Sequence, residues 1–198
     1  GATLTTQFDG FTVLNGEADY GAGLYMSGAS PRVAHCVFRQ NNSNSGAGVH
    51  CIHDSAPEIL DCEFLENSWT ALYSYSASPT IRRCTFVGNN GTGISVLLGS
   101  CEITNCMVLG NGRDGITFDG ESFGRIQNCT VAANRDYGIS SNSDSILDVR
   151  NTIIWDNASG ALSLSNESSS VAYSCIQGGY EGEGNLDADP RFVDFVRG

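Results

Sequence analysis

Residues 81–96 of the chain read IRRCTFVGNNGTGISV, and residues 103–118 repeat the same pattern as ITNCMVLGNGRDGITF. The two stretches begin 22 residues apart. Each carries an isoleucine, a cysteine three residues later, an apolar residue two further on and an asparagine three beyond that. A glycine–isoleucine pair then follows. Self-similarity at such a period is typical of a solenoid, in which one structural unit is stacked on the next.

The same columns continue through most of the chain at intervals of 22 to 26 residues. The first apolar column comprises Phe8, Val33, Ile59, Ile81, Ile103, Ile126, Val149 and Val171. The next column comprises Phe11, Cys36, Cys62, Cys84, Cys106, Cys129 and Thr152. A second apolar column comprises Val13, Phe38, Phe64, Phe86, Val108, Val131 and Ile154. An asparagine column comprises Asn41, Asn67, Asn89, Asn111, Asn134 and Asn157. The last column comprises Leu24, Val49, Leu72, Ile94, Ile116, Ile139 and Leu162.

Each repeat contains two or three short stretches of alternating apolar and polar residues, separated by Gly, Asn and Ser. One such unit cannot bury its apolar face alone, whereas a stack of units buries it as a continuous column. The sequence therefore predicts an all-β solenoid of about seven to eight coils, 22–26 residues each, with parallel strands paired between coils. We expect the coils to occupy residues 1–176. Residues 177–198 should form an irregular acidic C-terminal cap of the same domain.

On these columns the chain resembles the right-handed, single-stranded parallel β-helix proteins of the pectin-lyase-like superfamily. It resembles bacterial surface proteins with N-C-x-F-x-x-N and G-G-I coils, and the resemblance covers about residues 8–176. The segment DADPRFVD, residues 187–194, is similar to tails of secreted bacterial proteins of this kind. The resemblance implies a secreted or cell-surface setting and contact with polysaccharide, but no single activity, because fold does not fix function.

Composition excludes several other classes of protein. The net charge is −12 and the chain has no lysine, so a polybasic surface for nucleic acid is not expected. No apolar run approaches the ~20 residues of a membrane-spanning helix, so we expect no membrane insertion. An acidic protein can still bind cations, neutral sugars or basic partners. The short segment before the first column also leads us to expect end-to-end self-assembly or a larger parent protein.

The asparagine and cysteine columns have structural interpretations. Stacked asparagines tolerate left-handed backbone and can bond to one another along the stack. Stacked cysteines are expected to be reduced, because their Cβ vectors run parallel and do not suit a disulfide. Free cysteine is a small and often buried residue, so we expect these thiols to be buried and inert in packing. Cys101 takes the place of Pro31, Pro57 and Pro79 in earlier coils and is expected to be more exposed. The run from His50 to Asp54 resembles a metal motif, but strand alternation points His50 away from Cys51.

Function is expected where the repeat departs from its own pattern, since insertions map to loops. The segments Glu17–Ala22 and Asn42–Ala47 are longer than their counterparts and should protrude. Aromatic residues occupy the outward positions of the first three coils. The predicted ligand-binding residues are Tyr20, Tyr25, His50, Trp69, Tyr73 and Tyr75. Such a patch suits sugar rings, which have C–H faces and hydroxyls. The alternative is that these rings merely cover the stack.

We favour a non-catalytic module that binds carbohydrate or serves as an adhesin, stalk or filament. The alternative is a polysaccharide lyase or glycoside hydrolase, for which the candidate catalytic residues are His50, His53, Tyr73, Asp54 and Asp19. None of these sets matches a family motif. No cofactor is required, and Ca²⁺ is the candidate ion, with weak ligands at Glu181, Glu183, Asp187 and Asp189. The pairs Arg113–Asp114 and Arg135–Asp136 are expected to form a surface ion-pair ladder.

Overall fold

The computed structural model describes residues 2–193, which form 23 short strands in three parallel sheets. The first sheet contains β1 (Gln7–Asp9), β4 (Arg32–Ala34), β7 (Glu58–Leu60), β10 (Thr80–Arg82), β13 (Ser100–Thr104), β16 (Phe123–Gln127), β19 (Ile146–Arg150) and β22 (Ser170–Ala172). The second sheet contains β2 (Thr12–Leu14), β5 (Val37–Arg39), β8 (Glu63–Leu65), β11 (Thr85–Val87), β14 (Met107–Leu109), β17 (Thr130–Ala132), β20 (Ile153–Trp155) and β23 (Cys175–Ile176). The third sheet contains β3 (Leu24–Ser27), β6 (Val49–Ile52), β9 (Leu72–Tyr75), β12 (Ile94–Leu97), β15 (Ile116–Asp119), β18 (Tyr137–Ser141) and β21 (Gly160–Leu164).

Each strand pairs in parallel with the strand three positions later in the chain, which lies one coil further along. The chain therefore winds as a β-helix of about seven turns. The pairing keeps the predicted columns in register, as at Ile59, Ile81 and Ile103. In the part of the chain that the structure describes, no helix has the length and hydropathy needed to span a membrane.

The core is the inside of the coil, where the predicted apolar columns lie. Phe38, Phe64 and Phe86 are fully buried, and their rings stack with centroids 5.1 and 4.4 Å apart. Because consecutive coils pack directly on one another, identical flat side chains at one column can contact face to face. The phenylalanine stack therefore stabilises neighbouring coils in register.

The asparagine column forms a buried ladder along the turn that leaves the second sheet. In the middle of the ladder, the Nδ2 of Asn89 donates to the Oδ1 of Asn111 at 2.9 Å and to the carbonyl of Phe64 at 3.0 Å. Its Oδ1 accepts from the side-chain and backbone nitrogens of Asn67. The same pattern runs from Asn41 to Asn157. The predicted bonding between stacked asparagines is confirmed, whereas the left-handed backbone lies one position earlier, at residues such as Gln40, Glu66 and Gly88.

All eight cysteines are free, and the five column cysteines are buried as predicted, but they are not inert. The thiol of Cys106 donates to the carbonyl of Thr104 at 3.3 Å and accepts the backbone N–H of Cys84 at 3.5 Å. The hydroxyls of Thr152 and Ser174 make the same two kinds of bond further along the column. From Cys36 onward, the column therefore holds side chains that can donate to one backbone group and accept from another.

The expectation that Cys101 is more exposed is wrong, since only 3% of its surface is accessible. The prolines at the equivalent positions, Pro31, Pro57 and Pro79, are buried as well. Burial raises the pKa of the Cys101 thiol well above its ordinary value. This column therefore lies inside the coil at the entrance to the first sheet.

A left-handed residue makes the corner between the first and second sheets. Residues Asp61, Arg83, Asn105 and Asn128 have φ between 52° and 56° and directly precede the cysteine column. This conformation costs energy for residues other than glycine, so the surrounding ladder bonds must hold it in place. The corner turns the chain sharply and keeps the two sheets adjacent.

The chain after β23 stays in contact with the last coil. Leu186 makes a parallel bridge with Cys175, and its backbone N–H and C=O bond to Ser174 and Ile176. The side-chain oxygen of Asn185 accepts the backbone N–H of Ser174 at 3.0 Å, in the manner of the next member of the thiol and hydroxyl column. The segment around Leu186 therefore covers the edge that β23 would otherwise expose.

Candidate functional site

The outward face of the third sheet carries the predicted aromatic residues on its first three strands. Register pairs Tyr25 with His50 and His50 with Tyr73, so these three side chains lie one above another on neighbouring coils. Tyr75 lies two residues after Tyr73 on the same strand. We define the aromatic patch as the side chains of Tyr20, Tyr25, His50, Trp69, Tyr73 and Tyr75.

The structure corrects the position of His50 within this patch. The side chain points outward, as alternation predicts, but only 5% of its surface is exposed. Its ring lies 5.6 Å from Tyr20, 5.5 Å from Tyr25 and 5.0 Å from Tyr73, measured between ring centroids. His50 is therefore the buried centre of the patch, and the tyrosines around it form the exposed surface.

The two longer loops explain why His50 is covered. Glu17 and Asn42 form a bridge that pairs the loops, and the hydroxyl of Ser43 donates to the carbonyls of Asp19 and Ser45. The Ser45 carbonyl accepts the Nδ1–H of His50 at 3.2 Å. The loops are packed against each other and place Tyr20 over the imidazole.

Burial and nearby charge set the protonation of the patch. Desolvation lowers the pKa of His50, and the bond to the Ser45 carbonyl only partly opposes this. His50 is therefore neutral at neutral pH. Burial raises the pKa of the Tyr73 hydroxyl, and the negative charge of Asp119 acts in the same direction. The surroundings of Tyr73 are thus unfavourable to a further negative charge.

Trp69 is held by Arg113, which was predicted to belong to an ion-pair ladder with Asp114. The guanidinium carbon of Arg113 lies 5.0 Å from the centroid of the Trp69 ring, in a cation–π contact. Trp69, Gly91 and Arg113 are joined along one turn column by backbone hydrogen bonds. Because Gly91 has no side chain, the arginine can reach across its coil to the indole.

The predicted Arg–Asp ion-pair ladder is wrong at its first step. The Oδ2 of Asp114 accepts from the hydroxyls of Thr117 and Ser140, at 3.1 and 2.9 Å. The Oδ1 of the same carboxylate accepts the backbone N–H of Tyr137 at 2.8 Å. This carboxylate therefore organises the outward hydroxyls of two coils instead of pairing with Arg113.

The candidate catalytic residues do not form one cluster around His50. The Nδ1 of His53 is bonded to the hydroxyl of Ser27 at 2.9 Å, and the ring is exposed at the end of the strand. Asp54 follows in an exposed turn with φ of 59°. Asp19 is exposed in the first loop. Of these candidate catalytic residues, Tyr73 is the one whose ring contacts the imidazole of His50.

The candidate metal ligands near the C-terminus lie on different parts of the tail. Asp187 accepts the N–H of Gly178 at 3.2 Å, and Asp189 accepts that of Arg191 at 2.8 Å. Glu183 bonds to Tyr173, and Glu181 is exposed. Within residues 2–193 no three His, Cys, Asp or Glu side chains converge as a metal site would require. Asp194, the remaining tail carboxylate, lies outside the described residues.

The aromatic patch lies apart from the groove on the first sheet. A shallow open groove of about 300 Å³ runs along the first sheet, lined by Pro79, Cys101, Glu102, Phe123 and Arg125 among others. It contains none of the aromatic patch residues.

Comparison with known proteins supports the fold. A family model described as a right-handed beta helix region matches residues 6–101 and 97–184. A search of curated proteins found no significant match. The two matched ranges together span nearly the whole described chain and follow the coils. The predicted right-handed parallel β-helix is confirmed, and the chain belongs to the right-handed beta helix family.

Proposed function

We propose that the chain is a non-catalytic, carbohydrate-binding β-helix module that is secreted or displayed on a cell surface. Its ligand is an extracellular polysaccharide. The observation that carries this proposal is the exposure of the aromatic patch. Tyr20 is 60% exposed, Tyr25 49%, Trp69 42% and Tyr75 37%, all on neighbouring coils.

Clustered exposed aromatic side chains favour a binding role, because leaving adjacent rings in water loses the stabilisation of burying them. Tyrosine and tryptophan each offer an apolar ring and a polar tip. A sugar ring matches both properties through its C–H face and its hydroxyls. The rings are also held before any ligand arrives, by His50 beneath the tyrosines and Arg113 against Trp69. Such preorganisation reduces the entropy lost on binding.

Affinity gel electrophoresis against a panel of neutral and acidic polysaccharides, with and without Ca²⁺, tests the proposal. We expect at least one polymer to retard the chain. Tyr25→Ala and Tyr73→Ala should each weaken that retardation by about tenfold, which corresponds to ~1.4 kcal/mol. Tyr180→Ala is the matched control, since Tyr180 is 39% exposed but lies in the tail. Circular dichroism verifies that each variant is folded.

Three results would contradict the proposal in different ways. Unchanged mobility in every gel would refute glycan binding and leave a stalk or filament role, which light scattering would detect as concentration-dependent assembly. New reducing ends or unsaturated products, lost in His50→Ala, would refute the non-catalytic part. Retardation that Tyr180→Ala weakens as much as Tyr25→Ala would place the site outside the aromatic patch.

A further inference from the structure

We infer that the aromatic patch takes a single, uncharged polysaccharide chain in solution, and neither an acidic polymer nor the flat face of a crystalline polysaccharide. This inference rests on the proposed function and specifies its ligand. Two independent features of the patch carry it: the mutual tilt of its rings and the sign of the charges around them.

The rings do not form a flat platform. Tyr20 is inclined at 89° to the His50 ring, Tyr73 at 66° and Tyr25 at 49°. Since Tyr20 and Tyr25 make angles of 89° and 49° with the same ring, their own planes differ by at least 40°. A crystalline polysaccharide presents a plane of sugar rings, which could not contact Tyr20 and Tyr25 face-on at the same time. A single chain can rotate its successive sugars to meet each ring.

The spacing of the rings agrees with a chain that runs along the solenoid. Tyr25 and Tyr73 occupy the same outward column two coils apart, which is ~10 Å at the usual strand spacing. Trp69 and Tyr75 flank the Tyr73 end of this column. A polymer that follows the column would meet these rings in sequence.

Carboxylates surround the patch. Asp19 is exposed beside Tyr20, Asp54 lies exposed just beyond the end of β6, and Asp119 is close enough to raise the pKa of Tyr73. The chain as a whole carries a net charge of −12. The local and the overall fields both repel an anionic polymer. Arg113, a cation at the edge of the patch, lies against the Trp69 ring, so its guanidinium is already engaged in that contact.

Matched pairs of soluble polymers separate charge from sugar identity. The neutral and acidic members would be hydroxyethyl and carboxymethyl cellulose, dextran and carboxymethyl dextran, and guar galactomannan and carboxymethyl guar. Dissociation constants would be measured for the intact chain by affinity electrophoresis at fixed ionic strength. Powders of microcrystalline cellulose and chitin would be tested by pull-down. Where a neutral polymer binds, we expect its carboxymethyl partner to bind at least tenfold more weakly, and neither powder to deplete the protein.

The outcomes distinguish this inference from the proposal on which it rests. An acidic polymer that binds as tightly as its neutral partner overturns the inference but keeps glycan binding. Loss of that acidic binding in Arg113→Gln would identify the guanidinium as its cause. Depletion by a powder without retention by any soluble neutral polymer overturns the inference in the same way. No binding to any polymer or powder refutes the proposed function itself.

Discussion

Replacing Asn89 with alanine should destabilise the solenoid far more than replacing its neighbour Asn90. The Asn89 side chain makes four hydrogen bonds, to the backbone and side chain of Asn67, to the carbonyl of Phe64 and to Asn111, all between 2.9 and 3.0 Å. Only 1% of Asn89 is exposed, so water cannot replace these partners. At ~1 kcal/mol net for each bond, we expect a loss of about 4 kcal/mol.

Urea unfolding, followed in parallel by far-ultraviolet circular dichroism and tryptophan fluorescence, measures this loss. With a denaturant slope of ~2–3 kcal/mol/M, the midpoint should fall by roughly 1.3–2 M. Asn90→Ala is the control, because Asn90 is exposed and surface changes usually stay within ~0.5 kcal/mol. A difference below ~1 kcal/mol between the two variants would refute the claim that the ladder stabilises the stack.

Asn89→Asp separates hydrogen bonding from volume. The aspartate has nearly the same shape and can still accept from Asn67, but it cannot donate to Phe64 or Asn111 while ionised. Its oxygen would then face the carbonyl of Phe64 and the Oδ1 of Asn111, where the native amide donates at 3.0 and 2.9 Å. We expect this variant to gain stability as pH falls and the carboxyl becomes protonated. A pH-independent stability relative to wild type would contradict the account.

The remaining predictions concern the thiol column, the buried histidine and the held tryptophan. Cys106→Ser should keep both column bonds, whereas Cys106→Ala leaves the N–H of a neighbouring coil without its partner and should cost ~1–3 kcal/mol more in urea unfolding. The folded pKa of His50 lies below the ~6.5 of the unfolded chain, so the contribution of neutral His50 to the free energy of unfolding should be fully present above pH ~6.5. It should fall as pH drops from there to the folded pKa, and His50→Gln should remove that component of the pH dependence. Arg113→Ala should shift the emission of Trp69 to longer wavelength, measured in a Trp155→Phe background, at a stability cost of ~0.5–1 kcal/mol.

The fold could be predicted from the sequence because each coil of a solenoid carries the same residue pattern. Each coil places an apolar residue at the same column, so one misassigned residue does not alter the predicted register. Phe38, Phe64 and Phe86 lie where the columns predict and stack directly. The ladder from Asn41 onward follows from the same register, because residues at one column must meet their copies in the next coil.

The thiol column shows where the prediction fell short. Cysteine suggested inert packing because it is a common buried residue. The presence of Thr152 at the same column was the available signal, since the large majority of buried hydroxyls are hydrogen-bonded. The choice of cysteine, threonine and serine together indicates a donor and acceptor at this position, which the structure confirms.

The candidate site was only partly predictable, because it depends on contacts between loops. Strand alternation gave the outward direction of His50, but its burial results from Ser43 and Ser45 in one loop and Tyr20 in the other. Nothing in the repeat pattern fixes how two irregular loops pack. The contact between Trp69 and Arg113 could have been predicted more easily, since both residues lie two positions after a ladder asparagine. The coil between them has Gly91 at the equivalent position.

The most direct test of glycan binding at the aromatic patch is a titration of Trp69 emission. In the Trp155→Phe variant, Trp69 is the remaining tryptophan of the chain. We predict a saturable change in its emission on addition of at least one soluble neutral polysaccharide. The change should be lost when Tyr25 and Tyr73 are both replaced by alanine and kept in Tyr180→Ala. A polymer that retards the chain in a gel without altering Trp69 emission, or an unchanged emission with every polymer, would contradict the account.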